Sequence, residues 1–237
     1  MARLGHPAPW VPAMTDRPAF WEEPEQVDTF ASRPPDRRLL DLLAGYEAPP
    51  AIRALDLGCA GGRNAVVLAD RGFDVFAIDA SRAMVERTRE RVAGILGPVE
   101  AARRVQLGAM DDLRDFRSGS FQLVVALGVY HSARDRAEWD RSLAETARVL
   151  KPGGQVLVAN FSPASNPTGA GLQPISGAPH VYDGFDAGPM FLLEAPELDA
   201  EMARYGLLTV GPTETVVTPT EAGQRVTVNA LYRKSRG

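Results

Sequence analysis

One stretch, Leu55-Asp56-Leu57-Gly58-Cys59-Ala60-Gly61-Gly62-Arg63-Asn64, constrains this chain more than any other. Ahead of it, residues 51–57 form a short apolar run of strand length without helical periodicity. Behind it, Ala65-Val66-Val67-Leu68-Ala69 begins a helix. The glycines between them let the backbone turn sharply and leave no side chains between it and a ligand. A strand, a glycine turn and a helix N-terminus make a nucleotide-binding corner. A second apolar run, Asp74-Val75-Phe76-Ala77-Ile78, ends in Asp79, twenty-one residues after Gly58. That places a carboxylate at the carboxyl end of the neighbouring strand, where it can accept bonds from both hydroxyls of a ribose.

The order of glycines separates two kinds of nucleotide. A dinucleotide fingerprint runs G-x-G-x-x-G, and its last glycine permits close packing of helix on strand. Here the order is Gly58, Ala60, Gly62, and Arg63 stands where that last glycine is needed. The spacing is D-x-G-x-G-x-G with Ala60 in the middle place, and it resembles motif I of the class I S-adenosylmethionine-dependent methyltransferases.

Composition narrows the function class. A chain of 237 residues is one large domain, or one domain with an appendage, and is long enough to bury a full core. Its 26 Lys and Arg against 30 Asp and Glu give a formal charge of −4, so no basic field meets nucleic-acid phosphates. The local cluster Arg87-Thr88-Arg89-Glu90-Arg91 is interleaved with acid and reads as a solvated helix face. The single Cys59 excludes an internal disulfide, and no metal-binding cluster is expected. No basic-then-apolar leader opens the chain and no apolar run approaches spanning length, so a cytoplasmic enzyme with no membrane partner is expected.

In chain order, Pro7, Pro9, Pro12 and Pro18 mark an arm, and aromatic density rises from Phe20-Trp21 to Phe30. Pro34-Pro35 then precede a helix over residues 36–43. Ser81 caps a helix reaching about Leu96, which Gly97-Pro98 ends. Residues 104–108 are a third strand, and Phe121-Gln122-Leu123-Val124-Val125-Ala126-Leu127 is a central parallel strand buried on both faces. Asp135 caps the next helix, Lys151-Pro152-Gly153-Gly154 breaks it, and residues 155–159 are the fifth strand. Strands alternating with helices over residues 51–160 give an α/β fold with a doubly wound parallel sheet.

The resemblance extends over roughly two thirds of the chain, counting motif I, Asp79, the run ending at Leu127 as motif IV, and the turn Leu150-Lys151-Pro152-Gly153-Gly154. Gly61-Gly62-Arg63-Asn64 with the turn at residues 70–75 looks most like the tellurite, thiol and halide methyltransferase branch. What the resemblance implies is a Rossmann-like, mostly parallel seven-stranded sheet with an antiparallel C-terminal strand pair, near residues 207–210 and 225–232. It implies S-adenosylmethionine as cofactor, S-adenosylhomocysteine as product, and a small-molecule methyl acceptor as partner. Residues 1–45 become an arm and lid helix, residues 46–237 the cofactor domain, and residues 161–194 an insertion covering the acceptor pocket. A helix packed on the sheet edge accounts for the leader equally well.

Carried onto this chain, the cofactor residues are Asp56, Gly58, Cys59, Ala60, Gly62, Asp79, Ala80 and Leu127. Arg33 is a candidate partner for the cofactor carboxylate, because a guanidinium binds one bidentately. The family often places Gly-Asp after strand three, the acid bonding the adenine amino group, whereas this chain has Gly108-Ala109-Met110-Asp111-Asp112. Met110 packing the base with Asp111 beside it is one reading, the backbone of Ala109 and Met110 holding the base alone is a second, and Asp111 and Asp112 capping a short helix over residues 113–116 is the third. Cys59 reads as a small apolar residue in preference to a nucleophile. His131, just past strand four, is the catalytic candidate: a base toward an acceptor hydroxyl or amine, or part of the pocket wall. The expected reaction is in-line displacement of the sulfonium methyl. Its rivals are a nicotinamide-linked oxidoreductase on the same fold and a non-catalytic S-adenosylmethionine-binding module.

Overall fold

The computed structural model describes residues 19–236; the expected proline-bearing arm, with His6, lies outside the described residues up to Pro18. The strands are β1 (Arg53–Leu57), β2 (Asp74–Asp79), β3 (Val105–Leu107), β4 (Phe121–Leu127), β5 (Leu150–Phe161), β6 (Gln173–Pro174), β7 (Val181–Asp183), β8 (Met190–Phe191), β9 (Leu207–Thr209), β10 (Glu214–Pro219) and β11 (Gln224–Lys234). The helices are α1 (Pro24–Ser32), α2 (Arg37–Leu43), α3 (Arg63–Asp70), α4 (Arg82–Leu96), α5 (Pro98–Arg104), α6 (Arg136–Val149) and α7 (Ala195–Arg204).

The main sheet runs β10-β11-β5-β4-β1-β2-β3. β1 to β5 are parallel, and β11 returns antiparallel to β5. β11 is long enough to serve two partners on its outer side: β10 pairs with residues 224–229 and β9 with residues 232–234. The expected antiparallel C-terminal strands are therefore present, with β10 as an additional, fully exposed edge strand.

Strand β4 shows why the sheet is buried on both faces. Val124 and Ala126 join Trp139 and Leu143 of α6 and Leu198 of α7, while Leu123, Val125 and Leu127 join Leu39 of α2 and Leu68 of α3. Burying each large side chain contributes about 1.5–3 kcal/mol, and helices on both faces are what a parallel sheet requires.

Three local expectations change. Gly97 ends α4 at φ 81°, but α5 starts at once with Pro98 in its first turn, where its missing N–H costs nothing. Lys151-Pro152-Gly153-Gly154 lies inside β5, as a register shift against β4 between Phe121 and Leu123. Residues 161–194 are not a bare loop: β6, β7 and β8 form a small antiparallel sheet there.

The order of strand addition reverses between β1 and β4, which are themselves parallel, since β2 and β3 build outward one way and β5 the other. In open α/β sheets, ligands bind at the carboxyl ends of strands beside such a switch. Here the two loops at that point begin with Gly58 and Gly128.

Candidate active site

The corner after β1 is held by its own backbone. The amides of Gly58 and Cys59 both donate to the Ile78 carbonyl, at 2.9 and 3.0 Å. Gly58 sits at φ 72°, and a Cβ there would lie 2.7 Å from Val129 Cγ2, so no larger residue fits. Ala60, in the middle place of the motif, is also left-handed, at φ 42°. The amide of Ala60 donates to Asp79 Oδ2 at 2.9 Å, and the Ser81 amide donates to Asp79 Oδ1 at 2.9 Å. Asp79 thus joins the loops after β1 and β2 at the rim of the sheet.

Asp79 lines a cavity of about 140 Å³ together with Gly58, Ala60, Ile78, Ala80 and Met110. Its outer wall includes Trp21 and Glu22, from a 3-10 turn over Ala19–Glu22. That turn is tied down by polar bonds that sequence periodicity does not reveal. Glu22 accepts the Arg82 and Ala83 amides at 2.9 and 3.1 Å, at the N-terminus of α4, and Ser81 Oγ donates to the Trp21 carbonyl at 2.8 Å. Ser81 also caps α4 as expected, accepting the Met84 amide at 3.1 Å.

A second cavity of about 710 Å³ shares Trp21, Gly58, Ala60 and Gly128 with the first. Its wall includes Arg33, Leu127, His131, Phe161 and Phe185, the last from the insertion that follows β5. A third, of about 310 Å³ and mostly apolar, opens beneath β7 and β8 and again touches Trp21.

His131 is 5% exposed and stacks on Phe161 at 4.6 Å, which in turn stacks on Phe185 at 4.9 Å. Its Nδ1 accepts the Phe161 amide at 3.2 Å. A neutral imidazole accepting at Nδ1 carries its proton on Nε2, so the other nitrogen is a donor. Burial pulls the imidazole pKa down to about 4.

Asp56 is 1% exposed and its Oδ2 has no partner among the described residues. Burial raises its pKa to about 7; Arg63 draws it back and Asp79 pushes it further up. Asp56, Cys59 and Gly62, all expected at the cofactor, are off the cavity linings. Burial, with Asp79 and Asp56 adding, pushes the Cys59 thiol up, and it sits 3.3 Å from Thr88 Oγ1. A nucleophile needs the thiolate, and this environment opposes it.

Two sequence expectations part from the geometry at the loop after β3. Met110, 2% exposed, lines the smaller cavity. Asp111 does not: Arg141 of α6 holds its Oδ2 through two bonds of 2.9 and 3.0 Å. The capping alternative also fails, because no helix follows; residues 113–116 form a turn.

The residues present fit S-adenosylmethionine: Asp79 offers carboxylate acceptors suited to a ribose, Ile78 and Met110 give an apolar slot suited to a base, and Arg33 lines the adjoining cavity, whereas Asp56 is on neither lining. No group of His, Cys, Asp or Glu able to hold a metal ion occurs among the described residues.

Residues 54–154 match a family model described as a methyltransferase domain. A demethylmenaquinone methyltransferase of Parafrankia sp. (strain EAN1pec) is 36% identical over 124 residues, 48% of this chain and 48% of that protein. A ubiquinone biosynthesis O-methyltransferase of Xanthomonas campestris pv. campestris (strain B100) is 32% identical over 128 residues, 53% of this chain and 51% of that protein. The chain thus spans about half the length of the curated relatives it matches. Among solved structures, a SAM-dependent methyltransferase of Methanosarcina mazei superposes with a TM-score of 0.64 over 83% of this chain and 98% of that one, at 19% identity, a likeness of fold. With motif I and the strand order in place, residues 54–154 match a methyltransferase domain, and the sheet around them has the fold of the solved methyltransferase.

Proposed function

We propose that this chain transfers a methyl group from S-adenosylmethionine to a small organic acceptor seated in the larger cavity. The observation that carries this reading is the common wall: Gly58, Ala60 and Gly128 line both the ribose-side cavity and the larger one. A ligand in each would meet at the switch point of the sheet. Bound S-adenosylmethionine supplies a methyl on a sulfonium, already activated for displacement.

The protein contributes position and exclusion of water. Asp79 holds the ribose, Ile78 and Met110 the base, and Arg33 the carboxylate of the amino-acid end. Trp21, Phe161 and Phe185 close the acceptor side. Holding two reactants in attack geometry is worth up to about 7–11 kcal/mol, so this enzyme needs little else. His131 acts as a neutral Nε2–H donor that orients an acceptor oxygen; with Nδ1 engaged by Phe161 and a pKa of about 4 it is not the base. An acceptor that is soft, or ionised in solution, requires none.

A formal charge of −4 supports small-molecule work over nucleic acid, and cytoplasmic residence goes with it. Among the described residues no helix is long and apolar enough to cross a membrane. The oxidoreductase reading is disfavoured because Arg63 opens α3 where a dinucleotide corner needs glycine. Transfer of label from methyl-labelled S-adenosylmethionine to members of a small-molecule library tests the proposal. Label appearing only in RNA, or no transfer to any acceptor while S-adenosylhomocysteine binds, would sink it in favour of a nucleic-acid enzyme or a binding module.

A further inference from the structure

The larger cavity carries more positive charge than the cofactor can use. Arg33, after α1, Arg63, opening α3, and Arg225, on β11, all line it. Arg38, on the same wall, is already held by Asp36 at 2.5 and 2.9 Å. No carboxylate among the described residues pairs with the other three. The Arg33 guanidinium lies over the Phe30 ring at 4.1 Å, and its pKa is drawn down by burial and then by Arg63 and Arg225. The carboxylates in Arg63's field do not release it: Asp36 is taken by Arg38, and Asp56 is buried behind the loop and pushed toward its neutral form. Asp186 and Glu221 are also on the lining, exposed as Arg225 is, and neither forms an ion pair with Arg33, Arg63 or Arg225 among the described residues.

S-adenosylmethionine has one carboxylate against an ammonium and a sulfonium, a net positive charge. Its carboxylate satisfies one guanidinium, Arg33, and its cations make the crowding of the others worse. A second substrate bearing an anionic group would supply the missing counter-charge. The shape of the wall says what kind of molecule brings it, since Phe161 and Phe185 are stacked and Phe30 and Trp21 stand on the same lining. Asn160, 2% exposed on that lining, has both Nδ2 and Oδ1 without a partner among the described residues. Buried polar atoms without partners cost stability, and persist where a ligand completes them.

We infer that the methyl acceptor is a small aromatic acid whose carboxylate is held by Arg63 and Arg225, with Asn160 completing a polar substituent of the ring. This rests on the methyl-transfer reading above. Arg63 and Arg225 are then specificity-determining residues, selecting an anion over its neutral analogue through charge-assisted bonds.

The test is an NMR titration of the full chain, loaded with S-adenosylhomocysteine, using benzoate, benzamide and phenyl phosphate as probes. Benzoate binds at least about tenfold more tightly than benzamide, and Arg225→Gln removes most of that preference while S-adenosylhomocysteine affinity stays constant. Asn160→Leu raises the melting temperature of the ligand-free protein by about 2–4 °C, because an apolar group replaces unsatisfied polar atoms. Equal binding of benzoate and benzamide, or a preference that survives Arg225→Gln, overturns the inference and leaves the cofactor reading standing. Phenyl phosphate binding tenfold more tightly than benzoate overturns the carboxylate assignment. A lower melting temperature for Asn160→Leu overturns the role given to Asn160. Failure of S-adenosylhomocysteine to bind overturns both readings, since the charge balance assumes that cofactor.

Discussion

His131 Nδ1 accepts the backbone N–H of Phe161 at 3.2 Å while the two rings stack at 4.6 Å. These contacts together fix the tautomer and the orientation of the histidine that follows β4 at the carboxyl rim of the sheet. The imidazole that a sequence reader would choose as a base is presented as a donor.

This relationship makes a kinetic prediction. A general base is worth about 10²–10⁴-fold in turnover, and its loss changes the pH profile. His131→Gln keeps an N–H donor and should retain turnover within about tenfold, with a mutant to wild-type ratio that does not change between pH 6 and 9. His131→Phe should chiefly raise the acceptor KM. Steady-state kinetics across that range distinguish the two roles, and a ratio that falls steeply above pH 6 would restore the base.

Asp56 gives the stability counterpart. Its folded pKa of about 7 lies above the ordinary value of 3.8, so its contribution is full below pH 4 and is lost as pH rises through 7. His131 has the opposite sign: its folded pKa of about 4 lies below 6.5, so stability is full above 6.5 and is lost as pH falls toward 4. Between pH 4 and 6.5 the two nearly cancel, and above 7 only the Asp56 penalty remains. Asp56→Asn should melt higher than wild type at pH 8, by a margin on the order of 2–4 kcal/mol, and should lose that advantage at pH 4.5. Scanning calorimetry at the two pH values checks it; a margin independent of pH would remove the burial argument.

Glu22 fastens the turn over the smaller cavity to the N-terminus of α4, where a carboxylate also complements the helix dipole. Glu22→Ala leaves Ser81 to cap that helix, so the loss of stability should be modest, about 0.5–2 kcal/mol. Cofactor release should accelerate by roughly tenfold, since Trp21 is no longer held against the cavity. Stopped-flow dissociation of S-adenosylhomocysteine measures it, and an unchanged rate would make the turn a packing element and not a lid.

Local chemistry made the cofactor half of the site legible. Gly58, Ala60 and Asp79 stand within one β-α-β segment, where strand, turn and helix signals are all short-range. The proposed acceptor half is assembled from distant parts. Arg225 reaches the cavity because β11 folds back antiparallel on β5, and Asn160 is orphaned by strand ends that meet only in the folded chain. Asp111 misled for the same reason, its partner Arg141 lying a helix away on α6. β5 hid its start because Pro152 and Gly153 read as breakers, and a bulge accommodates them.

The central claim is that the carboxylate joining the loops after β1 and β2 is the ribose anchor. Calorimetric titration of S-adenosylhomocysteine into wild type, Asp79→Ala and Asp79→Asn tests it most directly. Each bond to a charged group is worth about 1.5–3 kcal/mol, so Asp79→Ala should bind roughly 10–100-fold more weakly or worse, and Asp79→Asn, with one acceptor kept, should lose less. Circular dichroism and melting curves on the same samples establish that both variants are folded. Wild-type affinity in folded Asp79→Ala would place the ribose elsewhere and contradict the account.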